Sequence, residues 1–188
     1  ARPIRDLSGA RTLLARLTGA LGPEPHPGLS LVAASLDGVD RALPRQLARG
    51  RVRQALESAL ARWPNAAPAL RRLGRVESDD ERIEAAWDVL SAARAADSED
   101  PANGLALQAF ARDQGWEAEA LEAAAALGPA EGSGPRVLLE AIATYTRFGR
   151  PALAWAALAR LAVLFPRSAL EPQADLSRAA GRLRALDR

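Results

Sequence analysis

The stretches Gln114–Leu127, QGWEAEALEAAAAL, and Phe148–Leu161, FGRPALAWAALARL, decide the fold. Gly115 and Gly149 stand 34 residues apart, and each is followed at the same offset by an alanine-rich helical run. A fixed period of that length marks a repeat of two antiparallel helices and a turn, a unit that stacks on its neighbours because it cannot bury its apolar face alone. Outward from these stretches, turn signals recur at Gly22–Gly28 (GPEPHPG), Trp63-Pro64-Asn65, Asp97–Pro101, Gly128–Pro135 (GPAEGSGP) and Phe165-Pro166. The intervals are roughly 30 residues, room for one helical hairpin each.

Composition agrees with an all-α chain. Alanine, leucine and arginine dominate the 188 residues, aromatics are 4%, and β-branched residues are scarce, a balance that favours helix and offers little to a sheet. Hydrophobic residues make up 48%, ample for a buried core. The 25 basic residues are all arginine and stand against 23 acidic ones, so the net charge is +2 and the high pI is weak evidence for nucleic acid. Arginine in place of lysine throughout points to a GC-rich bacterial genome. No apolar run approaches the roughly 20 residues of a membrane span, and the N-terminus has no hydrophobic signal core. The cytoplasm is the favoured compartment, with the periplasm open if a signal was removed.

The same inventory argues against an enzyme, a cofactor and a metal. With no cysteine and one histidine, His26, thiolate chemistry and sites needing two imidazoles are excluded. His26 reads as a solvated residue of a Pro/Gly linker. The absence of lysine excludes a phosphate loop of the usual kind and Schiff-base chemistry. The acidic run Glu77, Asp79, Asp80, Glu81 lacks the glycine and distant glutamate of a calcium hand. Ser78 followed by Glu81 is instead a capping box, predicting that a helix through Asp88 and Arg94 starts in this segment.

Extending the 34-residue phase gives three units without insertions, 67–100, 101–134 and 135–168. Leu70, Leu73 and Gly74 occupy positions 4, 7 and 8 of the first, with Ala86, Leu90 and Ala93 at 20, 24 and 27. The second has Leu107, Ala111, Ala120, Ala124 and Leu127 at 7, 11, 20, 24 and 27. The third has Leu138, Ala141, Ile142, Tyr145, Ala154, Leu158, Leu161 and Pro166 at 4, 7, 8, 11, 20, 24, 27 and 32. In this phase and these residue types the chain resembles the tetratricopeptide repeat (TPR) family over 67–168, and more loosely back to about 28. The resemblance implies an α-solenoid of antiparallel hairpins, with close helix crossings that require small residues at positions 8 and 20. Gln108 and Ile142 depart from that requirement.

Toward the ends the pattern loosens. Residues 1–22 read as a leading helix, 23–28 as a linker and 29–66 as a degenerate hairpin, in which Pro44 opens a helix running to about Trp63. Residues 169–188 place Leu176, Ala179, Ala180, Leu183 and Leu186 on one stripe, with Arg178, Arg182 and Arg184 off it. That is a capping helix for the last repeat, although a partner-binding helix has the same pattern.

The resemblance also implies a function: a non-catalytic scaffold or adaptor that holds a partner segment in a concave groove lined by positions 2, 5, 9, 12 and 13 of each first helix. Here those positions supply Arg71, Arg75, Arg112, Arg136 and Arg147 as planar forks for carboxylates, and Leu105, Leu139 and Ala143 as an apolar floor. The expected partner is a protein with an acidic or amphipathic segment. The alternatives are that these arginines merely solubilise an alanine-rich surface, or that Arg49, Arg51, Arg53, Arg71, Arg72 and Arg75 bind nucleic acid or another anionic surface. Trp87 and Trp155, both at position 21, are expected in the core.

Overall fold

The computed structural model describes residues 7–21, 32–33, 45–127 and 134–166. Among them there is no strand. Eight helices run through them: α1 Leu7–Leu21, α2 Arg45–Arg62, α3 Ala67–Asp79, α4 Ile83–Ala96, α5 Pro101–Gln114, α6 Glu117–Leu127, α7 Pro135–Arg147 and α8 Pro151–Leu164. Residues 1–97 and 98–188 form two compact units. His26, the linker around it, most of the segment before Pro44 and the C-terminal stripe with Leu176 and Leu183 lie outside the described residues.

In the first unit α3 and α4 form a hairpin, and α2 packs on α3. Val52 and Leu56 from α2 meet Ala69, Leu73 and Val76 from α3, with Val89 of α4 beside them. The crossing of α3 and α4 is close enough to need a glycine. A Cβ built on Gly74 would lie 2.6 Å from Leu90 Cγ and 2.7 Å from its Cδ2. Leu90 is 2% exposed, so it has no empty space to retreat into.

The second unit is two hairpins, α5 with α6 and α7 with α8, joined by α5 and α6 packing on α7. Ala86, Ala120 and Ala154, the small residues at position 20, are all 0% exposed. Each lies where a second helix crosses its first and a larger side chain would push the pair apart. Ile142, at the position expected to be small, is accommodated in a core cluster with Leu138 and Leu161.

Proline and glycine set the helix ends. Pro101, Pro135 and Pro151 stand in the first turns of α5, α7 and α8, where the missing N–H costs nothing. Asp100 caps α5 by accepting a 2.9 Å hydrogen bond from the Ala102 amide. Gly115 and Gly149, the pair that reveals the period, both have positive φ, 79° and 63°. They close the first helices of their units in a conformation that suits glycine.

Two local expectations are corrected. The Ser78–Glu81 capping box does not form: Ser78 lies within α3, α4 begins at Ile83 after Arg82, and no side chain caps it. The turn is built from the other side, with Glu81 at φ 60° and Glu77 held in the last turn of α3 by arginines from other elements. Trp155 is not in the core: it is 37% exposed, whereas Ala154 beside it is fully buried. Trp87, at the same position of the first unit, is half-buried and is not among the buried residues of α4 either.

Candidate functional site

The first helices α5 and α7 carry the candidate groove of the second unit. The apolar stripe of each helix sets its rotation, and Leu107, Phe110 and Ala111 on α5 and Leu138, Ala141 and Ile142 on α7 are buried. What remains of α5 presents Leu105, Ala109 and Arg112, all half-buried. On α7, Leu139 is half-buried while Arg136, Ala143 and Arg147 are exposed. The structure therefore brings Leu105, Leu139 and Ala143 onto adjacent packed helices, with Arg136 in the first turn of α7 and Arg147 in its last.

Two side-chain links tie α5 to α7. Arg112 Nη1 donates to Glu140 Oε2 at 2.7 Å, and Arg112 Nε reaches Asp113 Oδ1 at 3.5 Å. Arg112 is thus engaged within the chain through Nη1 and Nε, so a bidentate hold on a partner's carboxylate would compete with these bonds. The second link is buried: Gln108 Nε2 donates to Thr144 Oγ1 at 2.8 Å, leaving the buried Gln108 Oε1 without a protein partner. The glutamine at a position expected to be small acts as a polar bridge to the next repeat. Its unit places the close approach four residues earlier, where a Cβ on Gly104 would lie 2.7 Å from Leu127 Cδ2.

In the first unit Arg71 is half-buried and Arg75 exposed, and both take part in polar or electrostatic contacts. Arg49 and Arg53, two of the arginines named in the nucleic-acid reading, are drawn onto the acidic end of α3. Arg53 Nε donates to Glu77 Oε1 at 2.9 Å, and its Nη2 bonds Asp80. Arg49 Nη1 donates to the Asp79 carbonyl at 2.9 Å and to Asp80 Oδ1 at 3.1 Å. Arg82 Nη1 lies 3.0 Å from Glu77 Oε2. Desolvation pushes the Asp80 pKa up, but hydrogen bonds and charge from Arg49 and Arg53 outweigh it and hold the carboxyl below its ordinary 3.8. Desolvation likewise lowers the Arg53 value, and Glu77 and Asp80 more than reverse it. Cations neutralised this way release few counterions on a phosphate backbone. The acidic run is an anchor for arginines of this chain, a role that sequence spacing did not reveal because Arg49 and Arg53 lie 24 to 31 residues away.

Among the described residues no cluster of histidine, cysteine, aspartate or glutamate is placed to hold a metal ion, and no helix is long and apolar enough to cross a membrane.

No protein-family profile matches the chain, and no curated protein matches it. Solved structures do. MamA from MSR-1, in a C2 crystal form, superposes with a TM-score of 0.58 at 16% identity, covering 89% of this chain and 94% of that one. MamA from AMB-1, in a P212121 form, gives 0.58 and 16%, covering 90% and 92%. These are TPR-like helical-repeat structures, and at this identity the likeness establishes the fold: an all-α, TPR-like array of antiparallel hairpins.

Proposed function

We propose that this chain is a tetratricopeptide-type, non-catalytic adaptor that binds a segment of another protein on the α5/α7 face. The likeness to TPR-like structures supports a protein-binding role at the level of the fold. What supports the reading further is that Leu105 on α5 and Leu139 and Ala143 on α7 stand at accessible positions of two packed helices, with exposed Arg136 and Arg147 at the two ends of α7. An apolar strip with cations at both ends of one helix fits an amphipathic segment bearing acidic residues. Arg112, bound to Glu140, shapes the floor instead of meeting the partner's charge.

The test is capture of partners from the source organism by the full chain and by two variants, Leu139→Asp and Arg136→Ala/Arg147→Ala. A partner captured by the parent chain and lost with Leu139→Asp supports the proposal. The double arginine variant should weaken capture mainly through slower association, with a steeper loss at low salt. Equal capture by all three proteins places the binding surface elsewhere.

A further inference from the structure

The strongest unassigned feature is α8. A helix that is apolar all round is normally covered all round, and α8, PALAWAALARLAVL, has Arg160 as its sole charged residue. One side is accounted for: Ala154 and Leu161 are buried, and Ala157 and Leu158 pack on the same cluster. Away from it Leu153, Val163 and Leu164 are 49%, 79% and 52% exposed, and Trp155 is 37% exposed on the flank opposite Leu153 and Leu164. The second helices of the preceding hairpins differ in kind. Their exposed sides carry Glu84 and Asp88 on α4, and Glu117, Glu119 and Glu122 on α6.

We infer that the outward face of α8 is a self-association surface on which two copies of this chain pair helix against helix. Three features of the face select a second copy as its occupant. First, Ala152, Ala156, Ala159 and Val163 follow one another at spacings of four, three and four, the seam of a helix that packs lengthwise on another helix. Second, that seam is its own complement when reversed. With a two-fold axis between residues 157 and 158, Ala156 faces Ala159 of the second copy, and Ala152 faces its Val163. On the flanks, Leu153 approaches Leu164 and Trp155 covers Ala162, large side chains against equals or into gaps. Third, an isologous contact sets each charge near its own image. The acidic outward faces of α4 and α6 would repel themselves, whereas α8 carries no acid, and the reversed register staggers the two Arg160 side chains by five residues, about 7.5 Å along the helix. One helix face offers less than the ~800 Å² per partner of a standard interface, so the pair is weak and dissociates on dilution.

Sedimentation velocity of the full chain from about 5 µM to about 1 mM reads this directly. The expected weight-average mass rises from 19.9 kDa toward twice that value, and Ala159→Glu, at an exposed position, raises the dissociation constant at least tenfold with an unchanged circular-dichroism spectrum. A second measurement addresses register and does not depend on that variant. The chain has no cysteine, so an equimolar mixture of Ala156→Cys and Ala159→Cys proteins should form the mixed disulfide in preference to either homodisulfide. A chain that stays monomeric to about 1 mM overturns the inference, as does a dimer indifferent to Ala159→Glu. So does a monomer that begins to pair once residues 167–188 are removed, since the face would then belong to the chain's own C-terminal segment.

Discussion

Gly74→Ala separates two effects of opposite sign. Glycine inside a helix costs about 1 kcal/mol relative to alanine, so on propensity alone the substitution stabilises α3 by that amount. The new Cβ, however, would meet Leu90 Cγ and Cδ2 at 2.6 and 2.7 Å. Leu90 is 2% exposed, and its Cγ is not the loose end of a side chain, so α3 and α4 must separate or Leu90 must leave its rotamer. Such overpacking costs about 1–3 kcal/mol. The expected net effect is a loss of up to about 2 kcal/mol, or a melting point lower by roughly 2–4 °C per kcal/mol for a chain of this size. Leu90→Ala reverses the sign. That change alone removes core and costs about 2–5 kcal/mol, but it vacates the space the new methyl requires, so Gly74→Ala made on top of it should stabilise by about 1 kcal/mol. Urea unfolding of the four proteins, followed by circular dichroism, gives the coupling energy. If Gly74→Ala stabilises equally in both backgrounds, the close crossing of α3 and α4 is wrong and the 34-residue phase loses its physical basis.

Three further outcomes are expected from the structure. Ala120→Leu and Ala154→Leu, both at positions with no exposure, should each lower stability by about 1–3 kcal/mol in thermal melts, while Ala125→Leu on the exposed side of α6 changes it little. Thr144→Val strands Gln108 Nε2 in the core at a cost of about 1–3 kcal/mol, and Gln108→Leu/Thr144→Val together should recover most of that loss in denaturant unfolding, because neither position then carries a buried polar side chain. Asp80, whose folded pKa lies below its ordinary 3.8, contributes stability in full above that value and loses it as pH falls through the lower folded one. The stability gap between the parent chain and Asp80→Asn should therefore be constant near neutrality and close below about pH 4.

The hairpins were legible because their determinants repeat. Gly115 and Gly149 recur at one phase, and the small residues at position 20 recur with them, so each unit confirms the next. Features requiring contact across the sequence were hidden. The Ser78–Glu81 pattern is a valid local signal, but Glu77 is worth more to the fold as the anchor of Arg53 and Arg82, so α3 continues through Ser78. Trp155 and Trp87 share a repeat position, yet Trp87 is half-buried and Trp155 exposed, a difference set by packing that periodicity cannot state. The candidate groove was half legible. Repeat phase places Leu105, Leu139 and Ala143 on first helices, but Glu140, 28 residues from Arg112, gave no sign that it would occupy that arginine.

Site-specific photo-crosslinking reads out whether the α5/α7 face binds a protein segment. A photoreactive side chain at Ala143, exposed on α7, and another at Ala125, exposed on α6, should be introduced into the full chain in its source organism and irradiated. A covalent adduct with one discrete protein at Ala143, absent at Ala125 and abolished by adding Leu139→Asp, is expected if the α5/α7 face holds a partner segment. Adducts at Ala125 with none at Ala143 would contradict it.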